Sequence, residues 1–168
     1  MTKLFLVRHG ETVDNALRIM QGQSQGALNE TGRQQARELA QRLKDEPIDA
    51  FVASDLKRSI DTCSILAEPH GKKIVTTPLL RERDWGSFTG KPIPELTNKP
   101  WPDDIESLSQ LLHRADKFLR FIRKHYPHMT VVAVGHGIIN KAVQAVYWKK
   151  KMNEIERMTN CEMRTLTL

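Results

Sequence analysis

Short strand-like segments alternate with amphipathic helical patterns along this sequence, and this alternation limits the possible folds more than any other feature. The strand-like segments cover residues 4–7, 50–53, 73–76, 130–134 and 163–168. The helical patterns cover residues 29–43, 56–67, 105–125 and 138–148. Such alternation predicts an α/β domain with a mainly parallel sheet covered by helices on both faces. A chain of 168 residues is expected to form one domain, residues 1–168.

Details of these patterns give further expectations about individual residues. Ser54 and Asp55 supply N-cap chemistry for the second helix, and Trp148 extends the apolar face of the last helix and is expected in the core. Four prolines between residues 91 and 104 predict a loop beside the site rather than a core element. Cys63 and Cys161 lie far apart and are expected to be buried, reduced thiols.

Composition and charge exclude several classes of protein. With 39% hydrophobic and 27% charged residues, the chain is neither disordered nor a membrane protein. No apolar run approaches the ~20 residues of a membrane-spanning helix, and no signal peptide is recognisable, so a cytoplasmic location is expected. The net charge of +6 is spread along the chain and fits nucleic acid, an acidic surface or a phosphorylated small molecule as a partner. No nucleic-acid-binding module accompanies it, so neither nucleic acid nor a membrane is expected as a partner.

Three of the predicted strands end in residues that carry chemistry. Arg8 and His9 follow the first strand, Arg58 lies one turn into the helix after the second, and His136 follows the fourth. Because the carboxyl ends of parallel strands meet at one edge of a sheet, these side chains are expected in one pocket. Two guanidiniums and two imidazoles in one pocket predict a phosphate-binding site, since the planar guanidinium of arginine can donate two parallel hydrogen bonds to phosphate oxygens.

The same residues predict a reaction. A histidine among cations should stay neutral, and a neutral imidazole nitrogen can attack phosphorus. The helix N-termini after Gly10 and Gly137 are expected to add backbone donors to the phosphate. Glu82, where burial beside Trp85 could keep a carboxylic acid protonated, is the candidate proton donor, and Asp84 is the alternative. No set of residues has zinc-like spacing and no Walker-type loop is present, so neither a metal nor a cofactor is expected.

These motifs resemble those of the histidine phosphatase superfamily, the phosphoglycerate mutase-like enzymes. The resemblance covers nearly the whole chain in order. The matching segments are residues 8–12, Asn15, 21–22, 28–32, 35–36, 54–56, Arg58, Thr62, 82–86, Gly90, 106–107, 135–137 and 160–161.

The resemblance implies a role for each matching residue. His9 would be the nucleophile that becomes a phosphohistidine, and Glu82 would be the proton donor and then the base for water. The remaining implied residues would hold the phosphoryl group or border the substrate: Arg8, Arg58, His136, Asn15, the backbone of Gly137, Gln21 and Gly22. The implied fold is a three-layer α/β/α sandwich, and the implied chemistry needs no metal.

The spacing favours a phosphatase over a mutase. Only 53 residues separate Glu82 from His136, and the long helical pattern takes up many of them, so the lid over the site is expected to be short. A mutase must keep water from the phosphohistidine, which a short lid does poorly. Mutase-type phosphoryl transfer and a non-catalytic phospho-ligand-binding module are the alternatives. The sequence names neither the phosphorylated small-molecule substrate nor the oligomeric state.

Overall fold

A five-stranded sheet forms the centre of the computed structural model, which describes residues 1–168. The strands are β1 (Lys3–Arg8), β2 (Ala50–Ser54), β3 (Ile74–Thr77), β4 (Thr130–Gly135) and β5 (Met163–Thr167). Their spatial order is β3-β2-β4-β1-β5, and only β5 runs antiparallel to its neighbour. The helices are α1 (Val13–Leu17), α2 (Glu30–Leu43), α3 (Lys57–Ala67), α4 (Ile93–Leu96), α5 (Leu108–His125) and α6 (Gly137–Trp148).

Helices cover both faces of the sheet and create two separate apolar cores. On β1, Leu4 and Leu6 face the core formed with α5 and α6, whereas Phe5 and Val7 face the core formed with α2 and α3. This division follows from the strand's period of two, which sends successive side chains to opposite faces. The predicted three-layer α/β/α arrangement with a mainly parallel sheet is therefore confirmed.

Two details of the predicted elements are wrong. Helix α3 has Leu56 as its N-cap and no side-chain cap, because Asp55 pairs with Arg81 and Ser54 contacts His136. Trp148 is 54% exposed and lies outside the core, since α6 ends there with Lys149 in a left-handed conformation. Long-range polar contacts and the helix end override the local pattern at these positions.

The proline-bearing segment is more ordered than the predicted loop. It contains the short helix α4, and its start is joined to the end of α1 by backbone hydrogen bonds. The amide of Met20 donates to Lys91, Gly90 donates to Met20, and Ile93 donates to Arg18. These bonds hold α4 beside the strand ends, so the segment forms a small fixed flap.

Both cysteines lie inside the fold. Cys63 and Cys161 are free and buried, as predicted. Burial raises the pKa of the Cys63 thiol to about 12 and that of Cys161 to about 12. No helix is both long enough and apolar enough to cross a lipid bilayer.

Candidate active site

One pocket at the carboxyl edge of the sheet gathers most of the predicted site residues. Its volume is about 160 Å³. Seven of the nine predicted residues line it: Arg8, His9, Asn15, Gln21, Gly22, Arg58 and Glu82. The other two lie next to these residues. The ring of His136 packs edge-on against His9 with centroids 5.1 Å apart, and Gly137 begins α6 beside Arg8.

His9 is oriented by the residue that follows it. Its Nδ1–H donates to the carbonyl of Gly10 at 2.7 Å, which leaves Nε2 as the nitrogen available for reaction. The side chain is only 2% exposed. Burial, followed by the charges of Arg58 and Arg8, lowers the pKa of His9 well below its ordinary value of 6.5. The imidazole is therefore neutral at pH 7 and keeps a free lone pair.

His136 is oriented by a serine at the end of the neighbouring strand. The hydroxyl of Ser54 lies 2.6 Å from His136 Nε2. The only other contact of this hydroxyl, at 3.4 Å, is the Leu56 N–H, which can only donate. His136 Nε2 is therefore the one acceptor for the hydroxyl hydrogen, and we assign the ring proton to Nδ1. Burial, followed by the charges of Arg58, His9, Arg8 and Arg114, lowers the pKa of His136 well below 6.5. The expected clustering of the two histidines is thus observed.

The two arginines are held by backbone carbonyls. Arg58 is 1% exposed and donates to the carbonyls of Gly22 and Ser24 at 2.7 and 2.6 Å, so it fastens the loop that closes one side of the pocket. Arg8 donates to Met158 at 2.8 Å. Burial lowers the pKa of Arg58 to about 10, so its guanidinium remains charged at pH 7.

Unpartnered buried polar atoms concentrate here. Five buried side-chain nitrogen or oxygen atoms of the chain have no hydrogen-bond partner, and three of them belong to this site. These are Arg8 Nε, Arg58 Nε and His136 Nδ1. A buried donor without an acceptor costs roughly 1–3 kcal/mol, so three of them side by side indicate a place for an acceptor-rich ligand.

Glu82 rests on the first turn of α6. Its carboxylate accepts hydrogen bonds from the backbone N–H groups of Ile138 and Ile139 at 3.0 Å each, and from Arg83 at 2.7 Å. A carboxylate of the chain itself therefore occupies two of the backbone donors of this turn, and the N–H of Gly137 is not one of them. Asp84 is exposed and does not line the pocket, so of the two candidate acids only Glu82 reaches it.

The segment around Glu82 is clamped by an ion pair that the sequence did not predict. The guanidinium of Arg114 donates to the backbone carbonyls of Arg81 at 2.5 Å and Glu82 at 3.3 Å. It also pairs with Glu106 at 2.7 Å, and both side chains are largely buried. This pair positions the backbone that carries the Glu82 carboxylate.

Two side-chain amides that line the pocket have NH2 groups without a partner in the chain. The side-chain oxygen of Asn15 accepts from Thr12 N–H and from Asn160, and that of Gln21 accepts from the Thr12 hydroxyl. Neither NH2 group of Asn15 and Gln21 has a protein partner, although both residues line the pocket. These groups add two further donors to the pocket lining.

The glycine after His9 serves packing rather than ligand approach. A Cβ on Gly10 would lie 2.5 Å from the carbonyl oxygen of Gly32 in α2, and one on Gly32 would overlap Glu11. These two glycines allow the loop after β1 to lie directly on the first turn of α2. The helix after Gly10 does not supply the expected donors, because its first turn is bonded within the chain: the Val13 N–H donates to the Ala27 carbonyl and the Asn15 N–H donates to the Thr12 hydroxyl.

Several pocket residues were not predicted. Ile19, Met20, Ile93, Ile138 and Arg157 also line it. Ile19 and Met20 follow α1, Ile93 begins α4, Ile138 lies in the first turn of α6, and Arg157 lies in the loop before β5.

The two tryptophans near the site behave differently. Trp85 lines the pocket, whereas Trp101 is 56% exposed and packs on Trp85 with ring centroids 5.3 Å apart. Nowhere in the chain do three histidine, cysteine or acidic side chains come together as a metal-binding group.

The fold and the residues of this site match those of the histidine phosphatase superfamily, and the family comparison agrees. The family model of the histidine phosphatase superfamily (branch 1) matches residues 4–168, so the chain belongs to that superfamily.

Relatives in this superfamily include phosphatases and mutases. The chain is 40% identical over 141 residues to the uncharacterized phosphatase PhoE of Bacillus subtilis, covering 82% of this chain and 72% of that protein. It is 46% identical over 113 residues to the probable phosphoglycerate mutase GpmB of Yersinia enterocolitica, covering 67% of this chain but only 51% of that protein.

A solved structure shows the same fold over almost the whole chain. The mycobacterial glucosyl-3-phosphoglycerate phosphatase, solved in complex with VO3, superposes with a TM-score of 0.91 at 27% identity. The match covers 98% of this chain and 92% of that one.

Proposed function

We propose that this chain, as one domain of residues 1–168, is a metal-independent phosphatase that hydrolyses small phosphomonoesters through a phosphohistidine on His9. The observation that carries the proposal is the set of buried, unpartnered donors on Arg8, Arg58 and His136 around a neutral His9. A phosphoryl group supplies acceptor oxygens for all three donors and an electrophile for the free Nε2. The N–H of Gly137 would add a fourth donor.

The proposed reaction has two balanced steps. His9 Nε2 attacks phosphorus, the ester P–O bond breaks, and Glu82 gives its proton to the departing oxygen. Water then attacks the phosphohistidine, Glu82 takes a proton from it, and the P–N bond breaks to release inorganic phosphate. The guanidiniums and the His136 Nδ1–H stabilise the charge on the equatorial oxygens in both steps.

The flap supports hydrolysis over mutase chemistry. Helix α4 has four residues, and its Ile93, which lines the pocket, is 37% exposed. A mutase has to exclude water while a reaction intermediate turns round, which such a flap does poorly. The proposed substrate is a phosphorylated small molecule, and the free thiols of Cys63 and Cys161 support a reducing, cytoplasmic location.

The first experiment measures hydrolysis of an aryl phosphate and a panel of metabolite phosphates in excess chelator. We expect activity to persist in chelator and to be lost in His9→Ala, while His113→Ala, on the exposed face of α5, keeps wild-type activity. Isomerisation of phosphoglycerate without phosphate release would instead support a mutase. Binding of phosphate without turnover of any compound would support a non-catalytic module.

A second experiment tests the acid. In Glu82→Gln, we expect hydrolysis of alkyl phosphates to fall much more than hydrolysis of aryl phosphates, because an activated leaving group needs less proton donation. Asp84→Asn is the matched control and should leave both rates unchanged. Equal losses on the two substrates would remove Glu82 from the role of general acid.

A further inference from the structure

A second pocket, called the outer pocket below, adjoins the first pocket on the side of the loop before β5. Its volume is about 300 Å³, and it shares Arg8, Asn15, Ile93 and Arg157 with the first pocket. Glu11, Arg18 and Asn160 complete its lining. Because four residues belong to both pockets, the two form one groove that leads from His9 toward the protein surface. The proposed reaction uses only the inner part of this groove.

Positive charge dominates the outer pocket. Three guanidiniums line it, those of Arg8, Arg18 and Arg157, against the single carboxylate of Glu11. That carboxylate already accepts a hydrogen bond from Asn29 at 2.8 Å. The side chains of Arg18 and Arg157 form no hydrogen bond or ion pair within the chain, whereas Arg81 and Arg114 are both paired with carboxylates.

Arg157 and Arg8 lie close enough to repel each other. A Cβ placed on Gly137 would be 3.4 Å from Arg8 Nε and 3.5 Å from Arg157 Nε, so both guanidiniums approach the same point. The pKa of Arg8 is lowered by burial and then by Arg157. An anion placed against Arg157 would relieve this repulsion. Once a phosphoryl group engages Arg8, Arg157 and Arg18 remain to bind another anion.

We propose that the outer pocket binds a second anionic group of the substrate, a carboxylate or a second phosphate, held by Arg157 and Arg18. The inference rests on the proposed function and narrows it to short phosphomonoesters that carry another negative charge a few bonds from the ester. Ile93 is the one apolar residue in the lining of the outer pocket, and guanidiniums and the amides of Asn15 and Asn160 make up most of the rest. This lining suits a charged group better than an apolar one.

Binding calorimetry on the His9→Ala chain tests this without turnover. The probes are 3-phosphoglycerate and glycerol 3-phosphate, which differ by a carboxylate in place of a hydroxymethyl group. Fructose 1,6-bisphosphate and fructose 6-phosphate form the second pair and test a phosphate instead. We expect Arg157→Gln to raise the Kd of the doubly anionic member of at least one pair about ten-fold and to leave its partner unchanged. The affected pair identifies which anion the pocket takes.

A second variant of the outer pocket and a control variant are measured in the same way. Arg18→Asn should have the same selective effect, and asparagine tolerates the left-handed φ of 55° at this position. Arg42→Gln removes an equal charge from an exposed position on α2 and should change nothing. Equal weakening of both members of each pair, or no weakening of either, would overturn the second subsite. Loss of the proposed function is a separate result, because it shows as absent hydrolysis of the aryl phosphate by the wild-type chain.

Discussion

Removing the hydroxyl of Ser54 tests how the site orients its second histidine. In Ser54→Ala, the 2.6 Å hydrogen bond to His136 Nε2 is lost, and the ring can place its proton on either nitrogen. One buried hydrogen bond contributes about 1 kcal/mol to the free energy of unfolding, so the variant should still fold. We expect kcat/KM for an aryl phosphate to fall about ten-fold, equivalent to about 1.4 kcal/mol of lost transition-state stabilisation.

Ser59→Ala is the matched control for this experiment. The Ser59 hydroxyl is also buried and donates to the Val134 carbonyl at 2.6 Å, but it does not touch the site. Urea unfolding should show a similar loss of stability in both variants, with reduced turnover only in Ser54→Ala. If Ser59→Ala lowers kcat/KM equally, or if Ser54→Ala keeps full activity, the reasoning about the His136 proton is refuted.

Three other predictions concern backbone packing at Gly32, the hold of Arg114 on the Glu82 backbone, and the titration of buried histidine. Gly32→Ala should lower the free energy of unfolding by roughly 1–3 kcal/mol in urea titrations, because its Cβ would overlap backbone, whereas Gly137→Ala should not. Arg114→Lys, which loses the fork that clamps the Glu82 backbone, should lower kcat on alkyl phosphates about ten-fold with little change in KM. Folding lowers the pKa of both His9 and His136, so unfolded chains bind these protons first, and stability should fall as the pH drops below 6.5 by about 1.4 kcal/mol per pH unit for each histidine. Unfolding curves at pH 7.5 and 5.5 measure this, and His9→Gln should show a smaller decrease.

The layered fold could be predicted because its signals are local. β1 reads as a run of apolar residues, and α2 repeats Ala36, Leu39, Ala40 and Leu43 on one face, all of which are buried. Each pattern depends on neighbours within a few residues of chain. The gathering of Arg8 and the two histidines followed from the same reasoning, since parallel strands align their carboxyl ends.

Helix caps were less predictable because polar side chains have several possible partners. Ser54 and Asp55 can both cap a helix. Instead, Ser54 hydrogen-bonds to His136, 82 residues away, and Asp55 pairs with Arg81. Likewise, the first turn of a helix offers N–H groups to any anion, and in α6 the carboxylate of Glu82 accepts hydrogen bonds from two of them, those of Ile138 and Ile139. The competing partners come from distant parts of the chain, so no local pattern reveals them.

The sequence by itself determined the alternation of strands and helices, the order of the motifs and the residues at the strand ends. Only the tertiary structure decided which ring nitrogen of His9 is free, which acid reaches the pocket, and that Arg157 stands beside Arg8. The physical reason is the range of the forces involved. Apolar periodicity and backbone propensity act between near neighbours, whereas hydrogen-bond direction and charge proximity depend on atoms that only packing brings together.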